Sequence, residues 1–187
     1  DLETPVSTML KLADGRPNSF LLESVEGGAV RGRYSIIGLK PDLIWRCQRD
    51  RAEINRSARF DLRAFQPCPG GTLGSLRALL AESRIALPEA LPPMAAGLFG
   101  YMGYDMVRLI EKIPDRNPDP LKLPDGILLR PTIIVIFDSV LDLVTLVTPV
   151  WPDAGRDARS AYALAGERLA DVLSEFDRSL PYGRQSA

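Results

Sequence analysis

The 187 residues are 45% hydrophobic and 25% charged with a net charge of −1 at pH 7. That is the balance of one ordinary globular domain, and it excludes nucleic acid or an anionic membrane as a partner drawn by bulk charge. No apolar run reaches the roughly 18 residues that span a bilayer, and Asp1–Ala13 lacks the pattern of a signal peptide. There is no histidine, which removes Ser–His and Cys–His nucleophile pairs, zinc deaminase signatures and H-E-x-x-H proteases together, and leaves carboxylate- or lysine-based chemistry.

In chain order, Thr4 and Pro5 open a helix whose apolar face is Val6, Met9, Leu10 and Ala13, and Asp14-Gly15 stops it. Ser19 to Val25 reads as a strand, Gly27-Gly28 as a turn, and Arg33 to Leu39 as a second strand running into Pro41. Leu43 to Gln48 and Ala52 to Asn55 form a hairpin around Arg49-Asp50. Pro67 to Gly71 is loop, after which Thr72 caps a helix carrying Leu73, Leu76, Leu79 and Leu80. Pro88 to Pro93 is a second loop. Met94 to Met102 is a glycine-spaced strand, Asp105 caps a short helix through Lys112, and Pro114 to Pro124 is an exposed connection. Thr132 to Phe137 and Leu141 to Val150 form a β-hairpin through Asp138-Ser139; Pro152 to Gly155 breaks the chain. A last helix runs from Asp157 to Arg178 with Tyr162, Leu169, Val172, Leu173 and Phe176 apolar. Helices between hairpin-joined strands predict an α+β fold with largely antiparallel sheet. The two cysteines, Cys47 and Cys68, lack C-x-x-C spacing and read as separate cytosolic thiols.

Two motifs carry chemical interest. In Leu21-Leu22-Glu23-Ser24, Leu22 and Ser24 share one strand face and Leu21 and Glu23 the other. A carboxylate for an ammonium group, a hydroxyl and flanking leucines suit a small amphipathic ligand; the alternative is an edge strand with a solvated glutamate. In Gly32-Arg33-Tyr34-Ser35, Arg33 is either a carboxylate clamp or the ion-pair partner of Glu23. The glycines of Gly97 to Asp105 match neither G-x-G-x-x-G nor a P-loop, so close backbone packing is the reading there. The arginine-rich run Arg46 to Arg63 reads as a solvated face, and the charges of Glu111 to Asp119 have no metal-loop spacing.

Taken together these segments resemble one family. ETPVS at Glu3–Ser7, SFLLESVEGG at Ser19–Gly28 and GRYSIIGLKP at Gly32–Pro41 are similar to the opening of anthranilate synthase component I. GLFGYMGYDMVRLIEKIP at Gly97–Pro114 and LPDGILLRPTIIVIFD at Leu123–Asp138 continue the likeness in order, and Arg46 to Pro93 is the less similar stretch. The resemblance implies a lyase of tryptophan biosynthesis, cytoplasmic and Mg²⁺-dependent, that turns chorismate into anthranilate and pyruvate with ammonia from a glutamine amidotransferase subunit or domain. It also implies feedback inhibition by tryptophan. The family's chorismate and Mg²⁺ sites lie in a C-terminal half, so no residue here is expected to be catalytic or to ligate metal, and this stretch is expected to be inactive alone.

What the resemblance carries over is the tryptophan site: Leu22, Glu23 and Ser24 from LLES, with Arg33, Tyr34 and Ser35 from RYS beside it. The C-terminal half of the same subunit and the amidotransferase are the implied partners, with no nucleic acid and no membrane. Both ends of the chain read as boundaries within a longer protein. The apolar runs Ile133 to Phe137 and Leu141 to Val147 are expected to pack against sequence outside it. Aminodeoxychorismate synthase component I, of the folate pathway, is the nearest alternative; a non-catalytic amino-acid-binding module is the other.

Overall fold

The computed structural model describes residues 3–26, 30–116, 118–152 and 155–180, with the backbone alone at 25, 26, 30 and 31. The Gly27-Gly28 turn therefore lies outside the described residues, as does part of the Pro152 to Gly155 break. The chain folds as two compact units. One comprises residues 1–40, 87–96 and 132–187, the other residues 41–86 and 97–131.

The first unit is built on a four-stranded antiparallel sheet of β1 (Phe20–Glu26), β2 (Val30–Leu39), β8 (Ile133–Asp138) and β9 (Leu143–Val147), in that order. Its core lies on the sheet face that carries Leu21, Ile37, Leu39, Ile133 and Val135, packed under helix α1 (Pro5–Ala13) and helix α3 (Ala158–Phe176) through Leu12, Ala13 and Val172. Thr4 caps α1 in a reciprocal box with Ser7, and Asp14 closes it in the left-handed region at φ 46°. The buried face of α1 is Thr8, Leu12 and Ala13, whereas Val6 and Leu10 of the expected face are 54% and 56% exposed. In α3, Ala165 and Val172 are buried, while Tyr162 and Leu173 stand in solvent. Lys11 ties the two helices, its ammonium donating to the Phe176 carbonyl at 3.0 Å and pairing with Glu3. The expectation that Ile133 to Phe137 needs outside sequence is corrected: Ile133 to Ile136 are at most 1% exposed within this chain, because β8 is flanked by β2 and β9. Leu141, Leu143 and Val144 remain exposed.

The second unit holds a five-stranded antiparallel sheet, β5-β4-β3-β7-β6, from β3 (Leu43–Gln48), β4 (Arg51–Asn55), β5 (Gln66–Pro67), β6 (Phe99–Met102) and β7 (Gly126–Arg130). Helix α2 (Gly71–Glu82) lies on it over Trp45, Cys47, Ala52 and Leu128. Trp45 is fully buried and its indole N–H donates to the Ser75 hydroxyl at 3.1 Å. Thr72 is not the cap of α2: it sits inside the helix, buried, and its backbone N–H donates to the Asp50 carboxylate at 2.9 Å from the β3–β4 turn. The expected strand Met94 to Met102 shrinks to β6, preceded by a 3₁₀ turn at Pro93–Ala95. Close packing explains Gly100, since a Cβ there would lie 1.9 Å from the Ile127 carbonyl oxygen, whereas a Cβ on Gly97 would meet nothing nearer than 3.9 Å. The helix expected from Asp105 is a 3₁₀ turn, Tyr104–Leu109, with Gly103 ahead of it and Asp105 in its first turn. Strand β7 was not foreseen. Both cysteines are free thiols.

Candidate functional site

The two motifs meet on neighbouring strands of the first sheet. Glu23 of β1 lies directly opposite Ser35 of β2, and Leu22 opposite Ile36, in regular antiparallel register. Past Glu23 the register shifts, and the next pair is Val25 with Arg31. Ser24 alone therefore faces Gly32, Arg33 and Tyr34, so β2 carries the surplus residues of a bulge. The contact there is close: a Cβ on Gly32 would lie 2.1 Å from the Ser24 hydroxyl oxygen and 2.8 Å from its carbonyl carbon. Only glycine allows the two motifs to approach in this way.

Alternation settles which groups share a face. Leu21, Glu23, Ser35 and Ile37 point to the side covered by α1 and α3, at the end of the sheet beyond the buried core. Leu22, Ser24, Tyr34 and Ile36 point to the other side. Glu23 and Ser24 are exposed and Leu22 is half-exposed, all on β1, an edge of the sheet among the described residues.

Arg33 does not pair with Glu23. Its guanidinium grips the carboxylate of Asp138 at the end of β8, Nη2 to Oδ2 at 2.7 Å and Nε to both oxygens at 3.0 Å, while stacking 4.8 Å over the Tyr34 ring. The Asp138 side chain is 8% exposed and also accepts the backbone N–H groups of Val140 and Leu141 at 3.0 and 3.1 Å. The Arg33 bonds above all, with these two amides, hold its carboxyl down to about 2, and the same pairing raises the Arg33 guanidinium. Next to it, Ser139 donates its backbone N–H at 2.9 Å and its hydroxyl at 3.0 Å to the Arg33 carbonyl. The turn after β8 thus holds the bulge of β2 by both side chain and backbone. Beside it opens a cavity of about 220 Å³ lined by Arg33, Tyr34, Ile136, Asp138 and Leu143, with Leu91 of the 87–96 segment across it.

Asp138, Ser139 and the spacing role of Gly32 escape a reading of the sequence. Asp138-Ser139 reads only as a hairpin turn, and nothing local ties it to Arg33 across 105 positions. Elsewhere, Asp115 of the Glu111 to Asp119 segment forms ion pairs with both Arg49 and Arg108. Arg46 and Arg56 of the basic run pair with Glu53 and Glu82. Among the described residues no three His, Cys, Asp or Glu side chains gather as a metal cage, and no helix is long and apolar enough to cross a membrane.

The α+β architecture with two antiparallel sheets is shared with a solved structure. A solved structure of anthranilate synthase component I from Streptococcus pneumoniae matches 97% of this chain and 36% of its own at a TM-score of 0.64, with 20% sequence identity. No family model matches the sequence. Anthranilate synthase component 1 of Cereibacter sphaeroides is 58% identical over 184 residues, covering 98% of this chain and 37% of that protein. The Thermus thermophilus protein of the same description is 38% identical over 165 residues, covering 87% and 32%, and that of Pseudomonas aeruginosa 36% over 179, covering 92% and 34%. The chain belongs to the anthranilate synthase component I family, as its N-terminal portion, and spans about a third of the length of the relatives it matches.

Proposed function

We propose that this chain is the regulatory and scaffolding portion of a large subunit that makes anthranilate and pyruvate from chorismate, using ammonia supplied by a glutamine amidotransferase partner in the cytoplasm. Its own contribution is part of the site through which tryptophan inhibits the enzyme. One observation carries this reading: LLES and GRYS, distant in composition from any catalytic motif, abut at the β1–β2 bulge.

The chemistry suits an amino acid. The Glu23 carboxylate makes no hydrogen bond or ion pair with the described residues and is available to an ammonium group. The Ser24 hydroxyl gives and accepts a hydrogen bond and Leu22, on the same face, offers apolar surface to an indole, while Glu23 and Ser35 face the other side and are reached around the open edge of β1. Arg33 is already engaged by Asp138, so its part is to fix Tyr34 and the bulge rather than to clamp a carboxylate. Because these groups lie at an exposed edge, enclosure of the ring requires the rest of the subunit. Inhibition then follows from tryptophan binding one arrangement of the subunit better than another. Mg²⁺ belongs to the chorismate chemistry of the rest of the subunit; among the described residues no three His, Cys, Asp or Glu side chains gather to hold it. In the complete enzyme, Ser24→Phe fills the ligand side of the bulge and is expected to raise the tryptophan concentration for half-inhibition with little change in uninhibited anthranilate formation. Unchanged inhibition, or equal loss of both, rejects the role of Ser24.

A further inference from the structure

We propose that Asp138 and Ser139 are positioning residues of the tryptophan site, a clamp that sets inhibitor sensitivity without touching the inhibitor. The inference rests on the function proposed above and extends it to residues outside LLES and GRYS. Between β1 and β2 the bulge leaves Gly32, Arg33 and Tyr34 opposite the single residue Ser24, and on the other side of β2 the register with β8 ends at the pair Tyr34–Asp138, so ladder pairing does not hold Gly32 and Arg33. What fixes them is the turn after β8. Asp138 takes the Arg33 guanidinium in a forked contact, and Ser139 bonds the Arg33 carbonyl twice.

The clamp is itself rigid on its other side. The Asp138 carboxylate is fixed by the amides of Val140 and Leu141, which close the turn into β9, and β8 behind it is buried from Ile133 to Ile136. Gly32 then bears directly on Ser24. A displacement of Arg33 is passed to Gly32 through the peptide bond between them, and from Gly32 to Ser24, which lies so near that a Cβ on Gly32 would overlap it. Loosening the clamp should therefore change how Ser24 meets a ligand while leaving distant chemistry alone.

The test is tryptophan inhibition of the complete enzyme carrying Asp138→Asn, which keeps the shape and removes the charge that holds Arg33. The tryptophan concentration for half-inhibition is expected to rise about tenfold, within the usual range of coupling between sites, with KM for chorismate within about twofold of wild type. Ser139→Ala, which keeps its backbone bond and is milder for folding, should give a smaller rise in the same direction, and Asp138→Glu a partial return. If both Asp138→Asn and Ser139→Ala lower the melting temperature yet leave inhibition at the wild-type value, the clamp is structural only and the inference fails. Ser24→Phe measured alongside separates the two levels: a response there with none at Asp138 and Ser139 overturns the clamp alone, and no response at Ser24 overturns the reading beneath it.

Discussion

Gly32→Ala tests the contact on which the site is built. The added Cβ would lie 2.1 Å from the Ser24 hydroxyl oxygen, 2.4 Å from its Cβ and 2.8 Å from its carbonyl carbon. A change of rotamer removes the first overlap and neither of the others. The Cβ–Cβ separation is about 1 Å short of the 3.4 Å at which ordinary contact starts, so β1 and β2 must part by about that much at this point. Overpacking of this kind costs about 1–3 kcal/mol, and the lower end applies because Ser24 lies on an edge strand that can yield. A hydroxyl displaced by an ångström forfeits one neutral hydrogen bond to a ligand, about 0.5–1.5 kcal/mol, which raises the tryptophan concentration for half-inhibition about two- to twelvefold. Fluorescence of the anthranilate formed by the complete enzyme over a tryptophan series reads this directly, with thermal unfolding recorded on the same preparation. A lowered melting temperature with unaltered inhibition would refute the argument, because the strands would have parted without the ligand sensing it.

Two further outcomes concern stability. Asp138 titrates near about 2 in the folded chain, below its ordinary 3.8, so the stability it contributes is complete above the ordinary value and is lost as pH falls from there through about 2. Denaturant midpoints of wild type should fall across that window and those of Asp138→Asn should fall less; parallel curves would remove Asp138 as the source. Helix α2 has no acidic residue in its first turn and no side-chain cap of its own, and takes Asp50 from the neighbouring hairpin instead. Asp50→Ala should cost about 1–2 kcal/mol through the lost cap and the lost charge at the helix start, and Asp50→Asn, which keeps an acceptor, about 0.3–1. Chemical unfolding followed by indole emission measures both, and an Asp50→Ala midpoint equal to wild type would dismiss the cap.

What the sequence discloses is what short-range chemistry decides. Thr4-Pro5 and Asp14 bracket α1 because capping and the left-handed stop involve neighbours only. The side of α1 that is buried depends on where α3 lies, which puts Thr8 inside and Val6 and Leu10 outside against the apolar pattern. Thr72 looks like a cap, yet the carboxylate that serves α2 comes from 22 positions earlier, a partnership with no local trace. Strand β7 hides because Pro124-Asp125 before it, Gly126 at its start and Pro131 after it read as breakers around a short run. The same division holds at the site. The residues of LLES and GRYS and their alternation are legible, whereas the register shift between them and the Asp138 that holds Arg33 arise only once β2 is placed between β1 and β8.

The departures from strand rules fall together. A glycine inside a strand, surplus residues on one side of a pair and an aspartate almost withdrawn from solvent are each unfavourable alone, and here they adjoin one another. Their arrangement is also asymmetric. The groups proposed to meet tryptophan lie chiefly on β1, an edge with Leu22 half in solvent, while the groups that hold the bulge belong to β8 and the turn after it, with Ile133 to Ile136 buried. Opening free energies follow such differences in burial, so binding energy spent at this site deforms β1 and the bulge before it disturbs β8. The proposed tryptophan site calls for that ordering: a part able to respond, held against a part that stays fixed. The sheet supplies both within three adjacent strands, β1, β2 and β8.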